Sequence, residues 1–344
     1  MMATVQCVFR GLAGLVLGGA VVLQAAPSQA GALDPEFAAR AVERAGQLDR
    51  THSLLVARDG RIVLDEVYRG ADSSSPANIK SLSKTVLAAL VGAAIEQGVV
   101  AGADQTIGEL IGARMPEDAD PRVAEITVGN LLSMQSGLER TSGSNYGAWV
   151  ASSDWVADAL ARPFVDEPGG RMLYSTGNSH ILSAALTWHS GQSTRELAQT
   201  WLGEPLSIRI PEWPADPQGI YFGGNDMRLS PRALLRVGEL YRLGGEIDGR
   251  RILPEGWVEA SWTPRGRSPF NHNRYGYGWF ITELAGEDVY YGWGFGGQML
   301  YVIPSLALTI VITSDPNPPG AGSAYLRELD ALVAETLIPA ARHE

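Results

Sequence analysis

The sequence predicts an α/β fold in which one sheet is assembled from both ends of the chain and a mainly helical lobe is inserted between them. Three observations carry this. Near the N-terminus, "SLLVARDGRIVLDEVYRG" places two apolar runs on either side of Asp59-Gly60, a dipeptide that favours a tight hairpin turn. From Tyr275 onward, "YGYGWFITE", "DVYYGW", "QMLYVIP" and "LALTIVITS" have the composition of strands. Between them, from about Val99 to Arg250, segments such as "WVADALARPF", "HILSAALTWHSG" and "SPRALLRVGELYRLGG" look helical and are punctuated by Pro and Gly. Strands at both ends with helices between them place residues 31–98 and 251–344 in an α/β lobe and residues 99–250 in a helical lobe. A cleft between the lobes is the natural place for a site. A chain of 344 residues, 45% apolar, is long enough to bury such a core.

The first thirty residues differ from the rest. Arg10 precedes an apolar run from Gly11 to Ala26, and "PSQAGA" sets Ser28 and Ala30 in the small-x-small pattern of a signal-peptidase site. Export with cleavage after Ala30 is expected, to a periplasmic or secreted location. The apolar core, about sixteen residues and interrupted by glycines, is short of the roughly twenty a membrane span needs. Cys7 would leave with the leader, so the mature chain has no disulfide, no thiol nucleophile and no thiolate metal site. After the hairpin, Leu82, Val86, Leu87, Leu90, Val91 and Ile95 recur at helical spacing until Gly98 stops the pattern. A last helix is expected from about Ser323 to Ile338. The formal charge of −11, with scattered arginines, argues against nucleic acid as a partner.

The chain has only two lysines, Lys80 and Lys84, and every other strongly basic side chain is arginine. Arginine stays protonated at any pH a protein survives, whereas lysine can serve as a base if its surroundings disfavour the charge. Ser81 and Lys84 lie three residues apart at the start of a strongly apolar helix, on one face. For Ser81 to attack a carbonyl, a neutral Lys84 must take its proton. Bringing a lysine from about 10.4 to near 7 costs roughly 4–5 kcal/mol, which burial and the positive end of the helix can supply. Lys80 has no serine three residues before it and is assigned a structural part. In "PGGRMLYSTGNSHIL", Tyr174 stands between a glycine-rich turn and a new helix, where a phenol can relay the serine proton and protonate a leaving group. In "YGWGFGGQMLYVIP", Gly292, Gly294 and Gly297 satisfy G-x-G-x-x-G but lead into a strand, so the dinucleotide reading fails its context. Glycines beside a strand instead let a substrate approach the backbone, so that N–H groups point at a developing oxyanion.

With these motifs in place, the chain resembles the serine hydrolases of the penicillin-binding-protein and class C β-lactamase superfamily, including its esterases and 6-aminohexanoate-dimer hydrolases. The resemblance rests on "IKSLSKTVLAALVGAAIEQG", "LLSMQSGL", "PGGRMLYSTGN" and "GWGFGGQMLYVIPSLALTIVI" and covers nearly all of the mature chain. It implies a β-lactamase/transpeptidase-like fold with an antiparallel sheet. It also implies Ser81 as nucleophile, Lys84 as base, Tyr174 as second acid/base group, and the backbone N–H groups of Ser81 and Phe295 as oxyanion hole. Two departures stand out. The superfamily's Tyr-x-Asn is here Tyr174-Ser175-Thr176, with Asn178 close enough in sequence to substitute. Its Lys-Thr-Gly or His-x-Gly is here Gly292-Trp293-Gly294, which leaves no cation to hold a substrate carboxylate.

The resulting expectation is hydrolysis of a small neutral ester or amide, with Asn178, Trp293 and Gly294 at the substrate and Tyr275, Tyr277, Trp279, Tyr291 and Phe295 suited to an apolar group. β-Lactamase or D,D-peptidase activity, or a non-catalytic sensor on the same fold, are the alternatives. No metal or cofactor is implied: His52, His180, His189 and His272 are isolated and lack metal-ligand spacing, and a Ser-His-Asp hydrolase would need a G-x-S-x-G elbow that is missing.

Overall fold

The computed structural model describes Met1 and residues 31–318 and 323–342; the expected leader, Met1 apart, lies outside the described residues. The chain divides into two units, Met1–Ala30 and Gly31–Glu344, and the sheet and helices belong to the second. Among the described residues no helix is long and apolar enough to cross a membrane.

Strands β1 (Thr51–Arg58) and β2 (Arg61–Val67) form the expected hairpin. Asp59 and Gly60 take φ of 50° and 75°, the two left-handed positions that a tight two-residue hairpin turn requires. The C-terminal part supplies β3 (Gly266–Arg267), β4 (Arg274–Tyr275), β5 (Phe280–Leu284), β6 (Glu287–Gly294), β7 (Gln298–Ile303) and β8 (Leu308–Ser314). The eight strands lie in the order β2-β1-β8-β7-β6-β5-β4-β3, each neighbouring pair antiparallel. The two ends of the chain meet at β1 and β8, where Leu54 faces Ile312 and Val56 faces Ile310.

Alternation along the strands explains what covers each face. Leu54, Val56, Tyr301, Ile303, Ile310 and Ile312 point to one side, where they pack with helix α1 (Pro35–Gln47) and the C-terminal helical segment from Ser323 to Arg342. That segment runs four residues beyond its expected end. Leu55, Ala57, Leu300, Val302 and Val311 point to the other side, into the larger core. With both faces covered the central strands β1, β7 and β8 are buried nearly throughout, each buried aliphatic side chain contributing about 1.5–3 kcal/mol.

Helix α2 (Ser83–Glu96) is buried at every position from Ser83 to Ala94 and is apolar on all sides, the signature of a helix inside the core. Helix α3 (Thr176–Ser190) packs against it. Helix α4 (Pro231–Arg242), which the sequence groups with the helical lobe, instead lies across β1, β7 and β8 with Leu234, Val237 and Leu240 buried.

Candidate active site

Ser81 lies in a 3-10 turn, Lys80–Leu82, that leads directly into α2. Ser81 in the turn and Lys84 in the first turn of α2 are three residues apart and share a side. The turn is held by its neighbours. Lys80 adopts φ of 49°; its N–H donates to Asn78 Oδ1 at 2.9 Å and its carbonyl accepts from Ser83 Oγ at 2.5 Å. Ser81 remains partly accessible.

Lys84 is 3% exposed, and its Nζ lies 3.1 Å from Ser81 Oγ, 2.6 Å from the Gly224 carbonyl and 3.3 Å from Thr176 Oγ1. Burial lowers its pKa to about 7, with the nearby Asp226 carboxylate pulling the other way. The three contacts suit a neutral amine. Its two N–H bonds can go to Gly224 and Thr176, and its lone pair then faces the Ser81 hydroxyl.

Tyr174 precedes α3 and its ring centroid lies 4.8 Å from Lys84 Nζ. Burial raises the phenol to about 12, against a side-chain hydrogen bond with Ser81. At neutral pH it is therefore a proton donor, which leaves Lys84 as the only one of the two able to begin as a base. The start of α3 is capped from outside: Ser142 Oγ accepts from the Thr176 N–H at 2.8 Å and Thr141 Oγ1 from the Gly177 N–H at 2.8 Å. This anchors Thr176, whose hydroxyl is also 2.9 Å from Ser142 Oγ.

The structure does not bring Asn178 to Lys84. Residues two apart on a helix point to different sides, so with Thr176 facing the lysine, Asn178 faces away and its Oδ1 accepts from Ser136 at 3.1 Å. Thr176, not Asn178, occupies the place next to Lys84.

The glycines of β6 serve a closer purpose than substrate access. A Cβ on Gly294 would sit 2.2 Å from the Ile79 carbonyl, and one on Gly292 would sit 2.3 Å from Leu82 Cδ1 and 2.5 Å from Thr85 Oγ1. Both exist so that β6 can lie directly against the turn carrying Ser81. Phe295 follows Gly294 in a turn closed by the Gly297 N–H donating to the Gly294 carbonyl at 3.1 Å, and its side chain is 45% exposed.

The expected apolar subsite is corrected. Tyr275 and Tyr291 are buried because both faces of the sheet are covered, and Tyr277 and Trp279, between β4 and β5, are buried in the larger core. Among the described residues, aromatics that stay accessible in this part of the fold include Phe295, the partly buried Trp293, and Phe270, which the sequence reading missed and which is 51% exposed. The Phe270 ring stands edge-on to Tyr174 at 5.2 Å and to Trp293 at 5.8 Å. Its loop is fixed from below, since the Asn271 and Asn273 amides both donate to the buried Tyr291 hydroxyl at 2.8 Å. A large apolar residue inside the otherwise polar "RSPFNHNR" was the available signal.

Residues 45–335 match the β-lactamase protein family. The chain is 26% identical over 295 residues to a 6-aminohexanoate-dimer hydrolase from Paenarthrobacter ureafaciens, covering 78% of this chain and 74% of that one. Its fold is similar to that of a penicillin-binding-protein homologue from Caulobacter crescentus, with a TM-score of 0.70, 17% identity, and coverage of 89% and 98% of the two chains. It is likewise similar to a D-stereospecific amidohydrolase from Streptomyces, with a TM-score of 0.67, 18% identity, and coverage of 88% and 99%. The chain belongs to the β-lactamase family, within the superfamily of serine hydrolases that includes the penicillin-binding proteins and class C β-lactamases.

Proposed function

We propose that this protein hydrolyses a small neutral ester or amide through an acyl-enzyme on Ser81. The observation that carries the reading is the 3.1 Å contact between Ser81 Oγ and a buried lysine held near pH 7. Lys84 takes the hydroxyl proton as Ser81 attacks the carbonyl carbon. The backbone N–H groups of Ser81 and Phe295 stabilise the oxyanion. The tetrahedral intermediate collapses, the C–O or C–N bond breaks, and Tyr174 gives its proton to the departing alkoxide or amine, to be reprotonated through Lys84. Water, activated by Lys84, then attacks the acyl-serine and releases the acid. No cofactor takes part in this scheme.

A neutral substrate is favoured by what surrounds the turn. Trp293 stands next to Gly292, the position at which the superfamily carries a cationic or imidazole residue, and it is packed among Phe270 and Phe280. A desolvated carboxylate there would cost several kcal/mol without a partner. Phe270, Trp293 and Phe295 offer apolar surface to an acyl or alkyl group. The dimer hydrolase and the amidohydrolase to which the chain is similar are hydrolases by name, which supports hydrolysis as the reaction. The leader features at residues 10–30 favour export, so that the substrate is met outside the cytoplasm.

The test is a fluorophosphonate probe followed by peptide mapping. Labelling at Ser81, slowed at least about a hundredfold in Lys84→Arg, is the expected result, because arginine keeps the charge but cannot accept the proton. A folded protein that remains unlabelled would instead be a ligand-binding sensor.

A further inference from the structure

Lys80, the other lysine, is tied down at three points. Besides the bonds to its backbone from Asn78 and Ser83, its ammonium lies 3.0 Å from Asp226 Oδ1, and the Asn78 amide donates to the same oxygen at 2.8 Å. Asp226 belongs to a segment that runs alongside the nucleophile turn. Met227 accepts from the Ile79 N–H at 3.0 Å and donates to Ser83 Oγ at 3.1 Å; Gly224 accepts from Lys84; Arg228–Leu229 pairs with Ala77–Asn78. Both Lys80 and Asp226 have left-handed backbones, with φ of 49° and 58°. Such conformations are unfavourable for side-chain-bearing residues and persist where the surroundings over-determine them.

We propose that Lys80 is a positioning residue: its ammonium cancels the Asp226 carboxylate beside the Ser81–Lys84 pair while locking the turn that presents Ser81 to residues 224–229. The inference rests on Lys84 being the base. Asp226 is the anion that favours the protonated form of Lys84. Tyr174 also faces the lysine, and burial keeps it neutral; Tyr146 is linked to the pair through Asn225, whose amide donates to the Tyr146 hydroxyl at 2.9 Å and to Asp226 Oδ2 at 3.1 Å. Tyr146 is neutral as well, raised by burial. With both phenols uncharged, burial lowers Lys84, and the charge that opposes it is Asp226, to the extent that Lys80 leaves it uncancelled. Lysine at position 80 thus serves the base without being one.

The test is the pH dependence of kcat/KM on a neutral nitrophenyl ester, together with the pH dependence of fluorophosphonate inactivation. In Lys80→Met the Asp226 charge is uncompensated, and the acidic limb is expected to move up by about one pH unit. In Asp226→Asn it is expected to move down, and in the double variant to return to within a few tenths of a unit of the wild type. Lys80→Arg keeps the charge and should hold the limb near its wild-type position. Equal, additive losses in both single variants with an unmoved limb would overturn the proposal and leave Lys80 as a structural tie. Should Lys80→Met fail to fold, Asp226→Asn decides alone: a downward shift supports the proposal and no shift overturns it. The reading of Lys84 as base is judged separately, since its failure would appear as undiminished labelling in Lys84→Arg.

Discussion

At the scale of single residues, Lys84 places function and stability in opposition. In the unfolded chain the lysine titrates near its ordinary 10.5, and in the folded protein near 7. Between these values the unfolded state binds more protons, so this group makes the fold more stable as pH rises from about 7 to about 10.5 and penalises it most at and below pH 7. Lys84→Met removes the penalty but leaves the Gly224 carbonyl without its donor, a loss of about 1–3 kcal/mol. The variant should be inactive yet more stable than the wild type by about 1–3 kcal/mol at pH 7, and its advantage should shrink toward pH 9.5. Urea denaturation at the two pH values measures this; an identical difference at both would show that Lys84 is not held neutral. Tyr174→Phe removes one oxygen from a buried phenol with almost no change in volume, so turnover should fall without a matching fall in melting temperature. A collapse of the melting temperature would make the tyrosine structural. Ser81, Lys84 and Tyr174 were legible because each sits in a local motif, two of them three residues apart. Thr176 as the neighbour of Lys84 was not, because which side of α3 faces the lysine is fixed by the external caps Thr141 and Ser142, which a reading of positions 174–178 does not contain.

Among the elements, the decisive contact is that of β6 with the turn at Lys80–Leu82. Glycine at 292 and 294 is a requirement of packing, and the cost of a side chain there can be compared with a position that has room. Gly294→Ala would press a methyl group against a backbone carbonyl that cannot rotate away, which calls for about 1–3 kcal/mol of destabilisation and displacement of Phe295. Activity and stability should therefore fall together. Gly102, which has open space around it and no left-handed backbone, should accept alanine with no such loss. Melting curves and ester turnover for the two variants test the contrast; a neutral Gly294→Ala would mean that β6 does not rest on Ile79. The hairpin, α2 and the C-terminal strands were readable because turn chemistry and apolar periodicity are local. The segment from Gly224 to Leu229 was not, although it supplies a hydrogen-bond acceptor for Lys84 and a partner for Lys80. Its role depends on contacts across 140 or more residues, which no spacing in the chain records.

Over the whole molecule, the two-sided cover of the sheet decides which aromatics remain for a substrate. A strand rich in Tyr and Trp looks like a binding wall until it is known that helices lie on both faces; here they do, and Tyr275, Trp279 and Tyr291 are used up in the core. What remains near Ser81 is Phe270 on the loop between β3 and β4, with Trp293 and Phe295 from the end of β6. On the proposed reading this arrangement suits neutral groups, and it offers no charge at positions 292 and 293. Trp293→Lys would add a cation one residue from position 292, where the superfamily has one, and a single charge-assisted hydrogen bond to a carboxylate is worth about 1.5–3 kcal/mol, or more than tenfold. The variant should gain at least that factor in kcat/KM for a carboxylate-bearing cephalosporin relative to a neutral short-chain ester, while the wild type prefers the ester. Loss of ester turnover is expected as well, because removing the indole opens the contact with Phe270 and Phe280. A wild-type preference for the cephalosporin, measured side by side with the ester, would overturn the assignment to neutral substrates and make β-lactam hydrolysis the better description.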